Sequence, residues 1–434
     1  MQSLNLKPFT ITIPGEYYDS QIYDARLYLW RSDGSILTLD WEQLIENITV
    51  PESLNIALQF ALQYGDNLYD NLLLQDADIR ELIIEKFKKL ANIPIEISSS
   101  TLNKCKMGEQ DNLLPFPHAD SAVHYKTVYV GSQSGVSSSS CTNFSRKRLS
   151  NTHIKKICDL PVVSLSASNR TLALAGGSEG LFDYYLNQNY SEKHPEPRRI
   201  TEQHSNFVRW LYPSIFSSSY FNQGLFAEFK LIKKRKSKDT SNTKQNQENL
   251  INLPLIFEDE TDKKRGSIAS IERDENENTN REFTKLVSAK EIFINTLNTE
   301  SAVFTWGTYD KICLVKEKSI DLVKSSPKAK YEREKFISLG SVDFQKSLGD
   351  IVSADSSFFG IILEQEDGLL VMTSSLDYIY LPGEPVNWRV FPKSRNYINQ
   401  LHVIYEDNLC IHSFNHDFFV NQEDKKIGIS FGAK

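Results

Sequence analysis

The sequence predicts a mainly β fold, assembled from a repeated hairpin unit and interrupted once by helix. Three observations carry this. Apolar runs alternate with small-polar turns that close on glycine, as in Val128-Tyr129-Val130-Gly131-Ser132-Gln133-Ser134-Gly135-Val136 and in Ala173-Leu174-Ala175-Gly176-Gly177-Ser178-Glu179-Gly180-Leu181. Glycine suits such turns because it reaches φ > 0 without steric cost. The closing glycines at 135, 180 and 224 are spaced by 45 and 44 residues. Residues 41–92 switch from a two-residue to a helical periodicity.

Along the whole chain, turn signals stand near 34, 135, 180, 224, 311, 368 and 408. The long gaps between some of them hold insertions. In 41–92, Asp78 is a candidate cap for a helix with Ile79, Leu82, Ile83, Phe87 and Leu90 on one face and Arg80, Glu81, Lys88 and Lys89 outside. Residues 233–249 and 258–282 are rich in Lys, Asn, Glu, Asp, Ser and Thr. Such segments bury too little apolar surface to offset the entropy of ordering, so 233–282 is expected to be largely flexible. The stretch 324–330 is a further loop. With the insertions removed, the period is roughly 40–45 residues, that of a four-stranded β-propeller blade.

The expected architecture is a single propeller domain over 1–434, with seven blades, a helical insertion at 41–92 and a flexible charged insertion at 233–282. The best-marked blade has Val162–Ser168 as inner strand, a turn at Asn169-Arg170, a return over Thr171–Gly176 and a third strand over Leu181–Leu186. Phe9–Ile13 and Ile427–Phe431 both read as strands, and one end is expected to complete the blade begun at the other. On that reading, deleting 425–434 sharply lowers the melting temperature. In its hairpins and their spacing the chain resembles seven-bladed β-propellers of the broad WD-repeat-like group. The Gly-His and Trp-Asp dipeptides of that group are missing from the blades. The resemblance implies rigid faces that hold partner proteins, hence a non-catalytic interaction platform or scaffold subunit.

Composition narrows the alternatives. The chain has 434 residues, 49 Lys+Arg against 56 Asp+Glu, and a net charge of −7, which argues against a generally basic nucleic-acid coat. Five scattered cysteines without a CxxC pair read as reduced structural thiols, and with no secretory signal the expected compartment is the cytoplasm. No run of eighteen apolar residues occurs, so no membrane partner is expected.

Candidate sites are few. Gly176-Gly177-Ser178-Glu179-Gly180 matches the nucleophile-elbow pattern, but a strand-like run follows where that motif needs a helix, so a hairpin turn is the better reading. His412 and His416 share a strand face roughly 13 Å apart, too far for one metal. No metal or cofactor is expected. Arg198, Arg199, Arg209, Trp210 and Trp306 are candidate binding residues, because Arg and Trp are enriched at interaction hot spots. The competing reading packs Trp210 and Trp306 between blades. Tyr17-Tyr18-Asp19 shares that ambiguity. The basic run Lys233-Lys234-Arg235-Lys236 would attract phosphates, but Glu258-Asp259-Glu260 follows and no aromatic residues interleave, so a solvated loop flank is favoured over nucleic acid. The leading expectation is a protein partner, met through the 41–92 insertion. The rivals are an enzyme or small-ligand binder with its site at the channel mouth, and a nucleic-acid-associated subunit.

Overall fold

In a computed structural model the chain is a ring of seven β-sheets, a seven-bladed β-propeller. The structure describes residues 7–64, 76–111, 114–145, 153–168, 171–186, 196–211, 214–219, 224–233, 279–288, 302–308, 311–325, 336–357, 359–373, 378–394 and 396–415.

The first strand, β1 (Phe9–Pro14), belongs to the last blade. Blade 1 is β2 (Tyr17–Tyr23), β3 (Arg26–Arg31), β4 (Ile36–Asp40) and, beyond a helical excursion carrying the short β5 (Ile95–Glu96), β6 (Lys106–Gln110). Blade 2 is β7 (Asp120–His124), β8 (Thr127–Ser132), β9 (Gly135–Ser140) and β10 (Lys155–Cys158). Blade 3 is β11 (Ser164–Ser168), β12 (Thr171–Ala175), β13 (Leu181–Tyr185) and β14 (Arg198–Thr201). Blade 4 is β15 (Phe207–Leu211), β16 (Ser214–Ser218), β17 (Gly224–Lys233) and β18 (Thr279–Ser288). Blade 5 is β19 (Ala302–Thr308), β20 (Lys311–Lys316), β21 (Ser319–Ser325) and β22 (Phe336–Asp343). Blade 6 is β23 (Ser353–Ser357), β24 (Gly360–Gln365), β25 (Gly368–Thr373) and β26 (Tyr378–Pro382). Blade 7 is β27 (Asn387–Val390), β28 (Gln400–Ile404) and β29 (Asn408–Ser413), completed by β1 and then β5. The first strand of each blade is innermost: β11 lies beside β7 and β15, and β2 beside β27 and β7.

The recurring glycine has a stronger cause than the turn. At Gly135 (φ +111°) a Cβ would sit 2.1 Å from the Cys158 carbonyl of β10, and at Gly180 (φ +102°) 2.1 Å from the Thr201 carbonyl of β14. Only a residue without a side chain lets the outer strand close onto the second hairpin. Six of the seven expected turns join the second and third strands of a blade. The one near 311 instead joins β19 to β20; the equivalent turn in blade 5 is Glu317-Lys318, which has no glycine to mark it.

As expected, a strand from one end of the sequence completes the blade begun at the other. Ile427–Phe431 lies outside the described residues, and the strand added to β29 is β1, antiparallel, with Ile11 opposite Ile411. The far edge of β1 pairs in parallel with β5, so neither edge of the closing strand is left open.

The helical excursion comprises α1 (Trp41–Glu46), α2 (Asn55–Leu62), α3 (Ala77–Leu90) and α4 (Ser99–Cys105), so helix continues past the expected limit of 92. Asp76 rather than Asp78 caps α3, accepting from Asp78 N (3.0 Å) and Ile79 N (3.2 Å). Ile83, Phe87 and Leu90 are buried in one apolar cluster with Ala57, Leu58, Ala61 and Leu62 of α2, Ile11 and Ile13 of β1, and Ile411 of β29. The last carbonyls of a helix lack intrahelical donors. Here blade 7 supplies three of the four: Ala61 O accepts from Asn399 Nδ2 (2.9 Å) and Ser413 Oγ (2.7 Å), and Leu62 O from Gln400 Nε2 (2.9 Å) and from Trp41 Nε1 of α1 (2.8 Å). The excursion is therefore fastened to the blade that closes the ring. Of the charged insertion expected over 233–282, residues 234–278 lie outside the described residues, and β17 and β18 flank them as paired strands.

Candidate functional site

The first strands meet around the axis in a network of charges. Asp19 (β2), Asp120 (β7) and Asp355 (β23) are each followed by serine, and each Oδ1 accepts that serine's backbone N–H, at 2.7, 2.8 and 2.8 Å. This turns the carboxylates toward the channel in one common conformation. Arg389 of β27 donates from Nη2 to Asp19 Oδ2 (2.9 Å), from Nε to Asp19 Oδ1, and from Nη1 to Asp120 Oδ1 (2.9 Å). Blade 7 is thereby tied to blades 1 and 2. Asp120 Oδ2 also accepts from Ser164 Oγ (3.0 Å) and Leu165 N (2.9 Å), which brings in blade 3. Across the channel, Arg209 of blade 4 donates from Nε to Asp355 Oδ2 of blade 6 (2.7 Å). His118 Nε2 and Ser121 Oγ complete the shell of Asp19 Oδ2, at 2.8 and 2.6 Å.

Asp19 is fully enclosed. Burial alone would raise its carboxyl, but the Arg389 guanidinium and the His118 ring outweigh burial and hold it well below the usual carboxylate range. Nearby, burial pushes His402 down to about 3, helped by His412 and Arg389, and pushes His412 down to about 4. Both rings are thus neutral at physiological pH. His402 Nδ1 lies 3.2 Å from Ser20 Oγ, and His412 Nδ1 lies 2.9 Å from Thr10 Oγ1.

Above this network, at the end of the channel where first strands turn into second strands, is a cavity of about 570 Å³. Arg209, Asp355 and Arg389 line it, together with Tyr125, Lys393 and Tyr397. Among the described residues, no group of three His, Cys, Asp or Glu side chains is placed to hold a metal ion.

The candidate residues from the sequence fall in different places. Arg198 and Arg199 are on the outer strand β14: Arg198 Nε donates to Asp183 Oδ1 (2.9 Å), and Arg199 lies over the Phe182 ring and near Glu179 and Glu202. Trp210 and Trp306 are 2% and 1% exposed and pack inside the blade interfaces. Of the five, Arg209 and Trp210 border the channel cavity. Lys233 ends β17, and Lys234, Arg235 and Lys236 lie outside the described residues. Gly176–Gly180 is a hairpin turn between β12 and β13, with Glu179 N on Gly176 O at 3.0 Å. His412 is on β29 and His416 lies outside the described residues. Tyr17-Tyr18-Asp19 is part of the innermost strand of blade 1. The carboxylate network was missed. Its signal was available, because Asp-Ser occurs three times in the chain, at 19–20, 120–121 and 355–356, each time in an innermost strand.

No family model and no curated protein matches the chain. Solved structures do align with it. A chain of the crystal structure of a mitotic checkpoint complex is 9% identical with a TM-score of 0.40, over 95% of this chain and 88% of that one. Chaetomium thermophilum Raptor is 7% identical with a TM-score of 0.47, over 95% of this chain and 29% of that one. The Neurospora crassa Pan2 WD40 domain is 8% identical with a TM-score of 0.41, over 92% and 89%. The chain is a seven-bladed β-propeller. That statement rests on its own blades, six of four strands and a closing one of five, with the first strand innermost and a closing strand from the other end of the sequence. No helix among the described residues is long and apolar enough to cross a membrane.

Proposed function

We propose that the chain is a non-catalytic protein-interaction platform that meets a partner through the outer face of its helical excursion. One observation carries this reading. Of nine large apolar residues exposed among the described residues, four (Ile56, Tyr64, Ile79 and Leu82) belong to the α2–α3 pair or its immediate end. The Lys86 ammonium on the Ser53 carbonyl sets the end of α3 beside the start of α2, so the two helices run antiparallel. Ile56, Phe60 and Tyr64 recur every four residues on α2 and just beyond it, and Ile79 and Leu82 are three apart on α3, so each makes a stripe. The opposite faces of both helices are buried against blade 7. Clustered exposed apolar groups on a rigidly anchored helix pair suit the helix-in-groove mode of recognition.

The test is a paired comparison of the full chain with Ile56→Asp/Leu82→Asp. Both positions are exposed, so the variant keeps its melting temperature. Proteins that co-purify with the wild type and bind it directly when purified should lose that binding by at least about tenfold in the variant, the scale of removing a central apolar contact. A partner set that both forms retain would overturn the reading. The rival reading, nucleic-acid contact through Lys233–Lys238, instead requires binding that weakens steeply with salt and disappears when those charges are neutralised.

A further inference from the structure

The hairpins at the channel mouth are unequal. In blades 1 to 6 two residues separate the first strand from the second; in blade 7 nine residues, 391–399, separate β27 from β28. This longer connection crosses the mouth as a strap. Lys393 Nζ reaches the Ala167 carbonyl of blade 3, and the Tyr397 hydroxyl accepts Ala25 N–H from the blade 1 turn at 3.1 Å. Phe391, Lys393 and Tyr397 thus become walls of the 570 Å³ cavity. A volume of that size suits a small organic ligand.

The charges in the cavity are not equally engaged. Arg389 is committed to Asp19 and Asp120, and Asp355 accepts from Arg209. Arg209 is held rigidly, with Nε on Asp355, Nη1 on the Val208 carbonyl (3.2 Å) and its plane 4.4 Å from the Phe207 ring centroid. Its Nη2 has no hydrogen bond among the described residues, and the side chain is 24% exposed. Ser166 Oγ accepts Trp210 N–H at 3.1 Å, so the Ala167 carbonyl that holds Lys393 lies on the strand next to Arg209. A planar guanidinium with an open edge and an ammonium therefore stand over the same end of the channel, with Tyr125 and Phe391 as apolar and aromatic walls. Guanidinium–oxyanion pairs are among the stronger charge-assisted hydrogen bonds.

We propose that this strapped channel mouth binds a small organic oxyanion, a carboxylate or phosphate carried on a compact flat body, between Arg209 and Lys393. The site is separate from the outer face of the helices and does not depend on the partner reading. The test is an NMR titration of the full chain with four probes: phenyl phosphate, benzoate, inorganic phosphate and benzylamine. Phenyl phosphate or benzoate binds, the stronger of them identifying the anion; inorganic phosphate binds more weakly, and benzylamine does not compete. Lys393→Gln and Arg209→Lys each weaken binding by about tenfold, the scale of one charge-assisted hydrogen bond. Arg209→Lys keeps a cation beside Asp355, and Lys393 is only half-buried, so at least one variant folds. Ile56→Asp/Leu82→Asp binds the probes as the wild type does. Absence of binding by both aromatic anions, equal binding of benzylamine, or affinity unchanged in both channel variants would overturn the proposal.

Discussion

The Arg389 guanidinium lies between carboxylates from two different blades, and Arg389→Met would leave Asp19 and Asp120 enclosed without their cation. Breaking such a buried pair from one side costs about 3–5 kcal/mol, which denaturant unfolding of the variant would show. The same region sets a pH dependence. Asp19 titrates in the fold below its unfolded value, so its contribution is present above the ordinary carboxylate range and is lost on acidification. His402 and His412 are held neutral, at about 3 and about 4, against 6.5 when free. The unfolded chain takes up protons below about 6.5 that the fold refuses, so stability is full above that pH and falls as pH drops toward 4. Each histidine subtracts about 1.4 kcal/mol per pH unit in that window. His402→Gln/His412→Gln should therefore show a shallower loss between pH 6.5 and 4.5, and an unchanged slope would contradict the burial argument. At this scale the sequence said least. Tyr17-Tyr18-Asp19 drew notice, but nothing local to Asp19 announces that Arg389, 370 residues away, will meet it. The repeated Asp-Ser pair was the readable clue, because a recurring polar dipeptide in an inner strand needs a recurring partner.

At the scale of the element, the hairpins of blades 2 and 3 were legible because glycine is imposed twice there, by the turn and by the fourth strand's backbone, and that of blade 6 because the Leu381 carbonyl leaves no room for a Cβ at Gly368. Blade 5 was misplaced by one hairpin because Glu317-Lys318 turns without glycine. The excursion was legible as helix, but its attachment was not. The groups that cap α2 come from Asn399, Gln400 and Ser413, far along the chain. Asn399→Ala removes a donor to Ala61 O and strands its other partners; a loss of about 1–3 kcal/mol is expected, measured by chemical denaturation. The same substitution at exposed Asn55 should stay within about 0.5 kcal/mol.

For the molecule as a whole, two devices close one ring. β1 fills the edge of blade 7, and β5 with the helices covers β1. Phe9, Ile11 and Ile13 are at most 1% exposed, and burying each is worth about 1.5–3 kcal/mol. Deleting 1–14 should therefore collapse the melting transition. The ring also explains how the fold can carry an excursion at its seam, because the helices that present Ile56 and Leu82 outward fasten the first blade to the last.

The closing register can be tested with one disulfide. Thr12 lies opposite Cys410, with Thr12 Oγ1 3.8 Å from the Cys410 sulfur. In Thr12→Cys the new thiol meets the native one within disulfide reach, and mild oxidation should link 12 to 410, read by peptide mass mapping and reversed by reductant. Thr10→Cys, which faces His412, should not form that link. Efficient pairing of Cys410 with position 10, or no pairing from either position, would contradict the ring closed by its first strand.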